Sequence, residues 1–245
     1  MVSSRDGSGS ARGGLLGYNR ARMGREDVAI VIMAKAPRAG AVKTRLCPPL
    51  SPADAADLYA CFLRDKIAQV QGVTGATGIV AFTPEESRSE FEALAPGFRL
   101  IEQLGADLGE RLRNCLDALL GDAYAGAVAI DSDTPTLPTA FLEQAVSLVS
   151  GPGADVVVGP SDDGGYYLIG VRRPAPFLFE RMPWSTPAVL PETLRRAEAK
   201  GLQVARLPVW FDVDTPADLD RLRAELAGGH GPPMHTRNFF ARRHR

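Results

Sequence analysis

From residue 28 onward, short unbroken apolar runs alternate with longer stretches in which apolar positions recur every three or four residues. Residues 28–34 (VAIVIMA) form a continuous β-branched run with no polar alternation, the pattern of a strand covered on both faces. Further strands are predicted at 77–82, 98–101, 127–130, 154–158, 166–171 and 202–207. Between the first two, Ser51-Pro52 supplies a helix N-cap with proline at the first helical position. Ala55, Leu58, Tyr59, Phe62, Leu63 and Ile67 follow at helical spacing. Helices are also predicted at 85–94, 107–120, 138–149, 187–200 and 215–226. The third of these six stacks Leu108, Leu112, Cys115, Leu116 and Leu119 on one face. Gly201 closes the helix at 187–200, and Thr215 with Pro216 opens the last. Strands alternating with helices specify βαβ units, hence an α/β fold: a three-layer α/β/α sandwich around a mostly parallel sheet. Ligands of such sheets gather where strands end at their carboxyl edges, so polar residues directly after strands are the ones to weigh.

The flanks break this rhythm. Residues 1–26 are rich in Gly, Ser and Arg without periodicity and read as a disordered extension, with Met23 as an alternative start. Residues 228–245 are Gly/Pro-rich and basic and read as a flexible tail, leaving 27–227 as one domain. The formal charge is −1, yet 1–26 carry five Arg against two acids and 228–245 carry four Arg and no acid. The body is therefore acidic, which argues against a nucleic-acid groove. All three histidines, His230, His235 and His244, lie in the tail, so Ser-His-Asp, Cys-His and zinc-protease chemistry are closed to the body. Cys47, Cys61 and Cys115 form no C-x-x-C and read as buried thiols in a reducing compartment. No run approaches the ~20 apolar residues that span a bilayer, and the N-terminus lacks a signal-peptide core, so a cytoplasmic protein is expected.

Four constellations carry candidate chemistry. The loop after the first predicted strand holds Lys35, Arg38, Lys43 and Arg45 around Gly40 within eleven residues. Cations and backbone amides in such a loop can receive a phosphate chain; a solvated basic turn is the competing reading. Asp131-Ser132-Asp133 follows the strand at 127–130, and carboxylates two residues apart in extended chain share a side. Such a pair suits Mg²⁺ or Mn²⁺, or simply caps the next turn. Asp212-Val213-Asp214 precedes the last helix; Asp214 or Thr215 can cap it, leaving Asp212 to complete a metal site. Ser161-Asp162-Asp163-Gly164-Gly165-Tyr166-Tyr167 reads as a tight turn or the floor of a substrate pocket.

In this order, the cationic loop, D-x-D, D-D-G-G-Y and D-V-D-T-P-x-D-L resemble the nucleotide-diphospho-sugar transferase superfamily of GT-A fold. The nearest group is glycosyltransferase-like and bacterial, related to phospholactate guanylyltransferases. The resemblance runs from about residue 28 to 226. It implies that Lys35, Arg38, Gly40 and Lys43 hold nucleotide phosphates, and that Gln103, Gly105 and Asp107 edge the base and ribose. Asp131, Asp133, Asp212 and Asp214 would supply the metal carboxylates, and Lys43, Arg45 and Asp131 the catalytic set. Asp163, Gly164, Gly165, Trp184, Ser185 and Thr186 would line the acceptor pocket. The opening at 36–41 is poorer in glycine than the usual nucleotidyltransferase loop, and the K-T-R-L form is nearer the guanylyltransferase relatives.

The expected reaction is Mg²⁺- or Mn²⁺-dependent nucleotidyl transfer. A small phosphorylated metabolite would attack the α-phosphorus of a nucleoside triphosphate, with GTP favoured, and pyrophosphate would leave. The alternative is glycosyl transfer from a nucleotide sugar, with Asp162, Asp163 or Glu192 as base; a second is a non-catalytic nucleotide-binding protein. The expected partners are a nucleoside triphosphate or nucleotide sugar and a small-molecule acceptor. Nucleic acid and membrane are excluded, and a homodimer is left open.

Overall fold

The computed structural model describes residues 27–227 and 232–243. The expectations for 1–26, including Met23 as a start, lie outside the described residues. Seven strands form one sheet: β1 (Val28–Lys35), β2 (Ala76–Thr83), β3 (Arg99–Glu102), β4 (Gly126–Ile130), β5 (Val156–Pro160), β6 (Tyr166–Val171) and β7 (Val204–Arg206). Their order across the sheet is β3-β2-β1-β4-β6-β5-β7. Only β6 runs antiparallel to its neighbours, β4 and β5. Among the described residues seven helices flank the sheet: α1 (Pro52–Gln71), α2 (Arg88–Leu94), α3 (Leu108–Gly121), α4 (Thr139–Ser150), α5 (Val189–Ala199), α6 (Pro216–Ala227) and α7 (Met234–Arg243).

The unbroken apolar run of β1 has its reason in this layering. Val28, Ile30, Ile32 and Ala34 face one core with Phe62, Phe91, Leu142 and Leu219 of α1, α2, α4 and α6. Ala29 and Val31 face the other, with Leu112, Leu116 and Leu119 of α3 and Ala197 of α5. Both faces of the strand are dry from Val28 to Ile32, so no position there tolerates a polar side chain. Ser51 caps α1 by accepting from the Asp54 amide, as its sequence signal predicts. Thr215 and Asp218 form a reciprocal box at the start of α6: Asp218 accepts from the Thr215 amide and hydroxyl at 2.7 Å each.

Two expectations change. The helix at 85–94 is split, a 3₁₀ turn at Glu85–Ser87 leading into α2. The tail at 228–245, expected to be flexible, contains α7, which packs on α1 with Phe239 and Phe240 each only 9% exposed. A ten-residue helix is marginal alone, so docking holds it. Asp65 of α1 accepts from the amides of His235 and Thr236 at 2.8 Å and from the Thr236 hydroxyl at 2.6 Å. Arg243 pairs with Asp54 of α1. No helix among the described residues is long and apolar enough to cross a membrane. The three cysteines are free thiols; Cys115 is buried, and Cys47 and Cys61 are half-buried.

Candidate active site

The chain moves outward from β1 through β2 to β3, then returns to lay β4 on the other side of β1. β1 and β4 are thus parallel neighbours whose following loops diverge, the place where an open α/β sheet leaves a crevice. The loop after β1 carries Lys43 and the loop after β4 carries Asp131 and Asp133. The Asp212–Asp214 segment is tied to that second loop by the Val213 amide, which donates to the Asp133 carbonyl at 2.9 Å. A cleft of about 580 Å³ opens here. Its lining includes Met33, Lys35, Lys43, Arg45, Tyr59, Gln103, Leu108, Arg111, Asp131, Asp133, Ser185 and Asp214.

The four aspartates divide into two pairs. Lys43 sits in left-handed backbone (φ 50°) ahead of a short 3₁₀ turn, Thr44–Leu46, and this conformation turns its side chain inward. Its ammonium lies 2.5 Å from Asp133 Oδ1 and 2.9 Å from Asp214 Oδ1, and donates to the Val213 carbonyl at 2.9 Å. Its side chain is 4% exposed. Burial alone would drive its proton off; Asp133 and Asp214 outweigh burial and hold the ammonium charged above the ordinary lysine range. Arg45 also binds Asp214, and the two cations overcome burial to keep that carboxyl below its usual range.

Asp131 and Asp212 have no such cation between them. Asp131 Oδ1 accepts from the Thr134 hydroxyl at 2.7 Å and the Asp133 amide at 3.2 Å. Asp212 Oδ2 accepts from the Ser161 hydroxyl at 2.8 Å, while its Oδ1 is buried without a hydrogen-bond partner. Burial, and then the neighbouring Asp131 carboxylate, push Asp212 up to about 9. Asp131 is raised as well, by burial first, with Lys66 acting against the rise. Two buried carboxylates that repel each other, one with an orphaned oxygen, make a donor set that fits a hard divalent cation. Among the described residues no three acidic, His or Cys side chains converge into a closed cage. An ion here would take one or two carboxylates and complete its shell with ligand oxygens, as Mg²⁺ commonly does.

Helix α1 supports the carboxyl ends of β1 and β4 from below. The Tyr59 hydroxyl accepts from the Lys35 amide at 3.1 Å and shares a 2.8 Å hydrogen bond with Ser132. Two turns on, Lys66 donates to the carbonyl and hydroxyl of Thr134, both at 2.9 Å. Neither residue figures among the sequence-derived site residues. The signal was available: Tyr59, Phe62 and Lys66 fall on one helical face, and a lysine on an apolar face is out of place.

The remaining candidates separate. Lys35, Arg45 and Gln103 line the cleft. The Gln103 side-chain amide donates to the carbonyls of Ala34 and Ala81 at 2.9 and 2.8 Å, closing the ends of β1 and β2. Arg38 instead turns to α2 and its preceding turn, pairing with Glu90 at 2.6 Å and Glu86 at 3.1 Å. Gly40 forms the tip of its turn at φ 77°, outside the cleft lining. Asp107 is the N-cap of α3, accepting from the Glu110 amide at 2.8 Å, a duty its place before a helix favours. Gly105 stands at φ 140° where a Cβ would collide with Glu110; its carbonyl accepts from Arg111 at 3.1 Å. Arg111, a cleft cation absent from the sequence-derived set, lies one turn after Leu108 on the same face of α3.

Of the acceptor-pocket residues, only Ser185 lines this cleft. Asp163 accepts from the Gly165 amide within its own turn, at 2.8 Å. Gly164 (φ 92°) packs so closely on Pro187 that a side chain would not fit. Trp184 packs edge-on against Tyr166 with ring centroids 6.4 Å apart, and the Thr186 hydroxyl donates to the Pro183 carbonyl at 2.7 Å. These contacts give four of the residues structural roles. Asp162 pairs with Arg221, and Glu192 is gripped by Arg195 and Arg196, which lower its carboxyl to about 2. Neither is placed as a general base.

Residues 66–186 match the family described as an uncharacterized protein conserved in bacteria, DUF2064. A crystal structure from Desulfovibrio desulfuricans G20, provisionally described as a nucleotide-diphospho-sugar transferase, is 30% identical with a TM-score of 0.82. The match covers 88% of this chain and 94% of that one. A cytidylyltransferase from Leptospira borgpetersenii serovar Hardjo-bovis is 14% identical (TM-score 0.54), covering 88% of this chain and 92% of that one. Molybdopterin-guanine dinucleotide biosynthesis protein A from Archaeoglobus fulgidus is 18% identical (TM-score 0.50), covering 83% and 100%. These last two share the fold. No curated protein matches the chain.

Proposed function

From the premise that the chain belongs to the nucleotide-diphospho-sugar transferase superfamily of GT-A-like fold, we propose that it is a divalent-metal-dependent nucleotidyltransferase. Its substrates on this reading are a nucleoside triphosphate, with GTP the first to test, and a small phosphorylated acceptor. The observation that carries it is the pairing of opposite charge across one cleft. Lys35, Arg45 and Arg111 line it together with Asp131 and Asp133, and Asp212 stands against Asp131. Cations placed to receive a polyphosphate and carboxylates suited to a metal are what phosphoryl chemistry needs when no protein nucleophile takes part.

An acceptor phosphate oxygen would form a bond to the α-phosphorus as the bond to the bridging β-phosphate oxygen breaks, and pyrophosphate would depart with that electron pair. Asp131 and Asp212 would hold the divalent cation, with Asp133 beside them. When bound, the cation supplies Lewis-acid stabilisation of charge on the transferring group. Lys35, Arg45 and Arg111 would bind and orient the phosphates. Lys43 has a different part from a direct phosphate ligand: it fixes Asp133 and Asp214 against each other. Gln103 braces the floor where β1 and β2 end.

Glycosyl transfer from a nucleotide sugar would use the same carboxylates, but the acids weighed as its base are bonded elsewhere: Asp162 to Arg221, Asp163 within its turn, Glu192 to two arginines. The deciding experiment offers Mn²⁺ with each nucleoside triphosphate and a panel of phosphorylated metabolites, assayed for pyrophosphate. Parallel reactions with nucleotide sugars are assayed for nucleoside diphosphate. Pyrophosphate release that depends on an acceptor supports the reading; turnover of nucleotide sugars alone sinks it.

A further inference from the structure

Lys66 is 1% exposed, yet among the described residues no carboxylate forms an ion pair with it. Both of its hydrogen bonds go to one residue, Thr134, to the carbonyl and to the hydroxyl at 2.9 Å each. Thr134 is itself fully buried. An ammonium carries donors and no acceptor, so it must occupy a lone pair of the Thr134 oxygen. The single hydroxyl proton is then committed to the other partner in reach, Asp131 Oδ1 at 2.7 Å. The direction of that hydrogen bond is thereby settled by chemistry: Thr134 donates and Asp131 accepts. A second donor, the Asp133 amide, reaches the same oxygen at 3.2 Å. Oδ1 is held on two sides, and the carboxylate plane with it.

We propose that Lys66 and Thr134 are positioning residues for Asp131. The ammonium on α1 orients the Thr134 hydroxyl, and the hydroxyl locks the Asp131 carboxylate so that its other oxygen is presented to a divalent cation. The proposal rests on the reading of Asp131 as a cation ligand and extends it to Lys66, a residue of α1 that does not line the cleft. Partners of this kind behind a ligating carboxylate set its orientation, and their loss typically costs about 10–100-fold in metal affinity. The arrangement also explains a buried lysine without an ion pair. Its charge is used to aim a hydroxyl, which an apolar residue of equal volume cannot do.

Mn²⁺ alone, titrated calorimetrically into the intact chain, tests it. Thr134→Val keeps the side-chain shape and removes the hydroxyl; Mn²⁺ affinity is expected to fall about tenfold or more. Thr134→Ser keeps the hydroxyl and restores affinity to within about twofold of the parent. Lys66→Met weakens binding in the same direction as Thr134→Val. Thermal melting of each variant checks the fold; should Lys66→Met fail to fold, the Val and Ser variants decide. Asp131→Asn separates the two layers of the argument. If it loses Mn²⁺ binding while Thr134→Val and Lys66→Met retain parental affinity, the positioning role is wrong. Parental affinity in Asp131→Asn, or no Mn²⁺ binding by the parent, overturns the cation site itself.

Discussion

Two buried lysines stand beneath the same acidic cluster and behave in opposite ways. Lys43 reaches in from the loop after β1 and touches two carboxylates directly, at 2.5 and 2.9 Å. Lys66 rises from α1 and meets a hydroxyl and a carbonyl. Contact with negative charge outweighs burial for the first and keeps it firmly protonated. Burial dominates for the second and pulls it down to about 8, although Asp131, Asp133 and Asp212 draw it the other way. Depth alone does not set the state of a buried lysine; the group at its tip does. The carboxylates divide in step. Asp133 and Asp214 have their countercharge in Lys43, whereas Asp131 and Asp212 face one another, the pair suited to an external cation.

The comparison can be broken most sharply at Asp131. Asp131→Ala should lower turnover by about 10²–10³, the usual cost of losing a group that stabilises charge in the transition state. Its melting temperature should fall by only a few degrees, since relief of the repulsion with Asp212 offsets the loss of the acceptor for the buried Thr134 hydroxyl; steady-state kinetics and a thermal melt report both. Lys43→Met should act mainly on stability. It leaves Asp133 without a cation and Asp214 with Arg45 alone, at a cost of about 3 kcal/mol. That corresponds to a fall of roughly 6–12 °C in melting temperature for a domain of this size. A melt unchanged by Lys43→Met would remove the distinction between the two pairs.

A smaller effect is expected from pH. Asp212 is raised to about 9 from a carboxylate's ordinary 3.8, so the folded chain binds its proton more tightly than the unfolded chain. Its contribution is complete below about pH 4 and is lost as pH climbs toward 9. Lys66, lowered to about 8 from 10.5, has the opposite slope, adding stability only as pH rises from about 8 to 10.5. Asp212→Asn should therefore flatten the decline in stability between pH 5 and 8, read from denaturant midpoints at each pH. The least effect is expected at Arg38→Ala. Exposed pairs such as Arg38 with Glu86 and Glu90 contribute about 0–1 kcal/mol. Since Arg38 faces away from the cleft, nucleotide affinity should stay at the parental value in a binding titration.

Much of this was legible in the order of residues. The two-sided core of β1, the cap at Ser51, the box of Thr215 with Asp218, and the placing of Lys35, Asp131 and Asp133 at or just beyond strand ends all rest on local rules. Asp107 shows where local reading divides: one residue suits both a ligand loop and a helix cap, and the structure gives it the cap. Helix α7 was hidden because its ten residues carry no strong periodicity and depend on Asp65, far away in the chain. Lys66 was hidden because a count of apolar positions passes over the charged residues buried among them, Asp65 and Lys66.

The sequence by itself determined the layers of the sandwich, the strands that end in acidic or basic loops, and the chemical types gathered at one edge of the sheet. These follow from periodicity and capping, which act between residues a few positions apart. Only the tertiary structure decided which cation meets which partner: Lys43 with Asp133 and Asp214, Arg38 with Glu86 and Glu90, Lys66 with Thr134. Each of these contacts except that of Lys43 with Asp214 joins residues 48 to 90 positions apart, and that one joins residues 171 apart. Charge–charge energies in a partly dry cleft depend on a few tenths of a nanometre and on the water excluded, and neither quantity is written in the spacing of a motif.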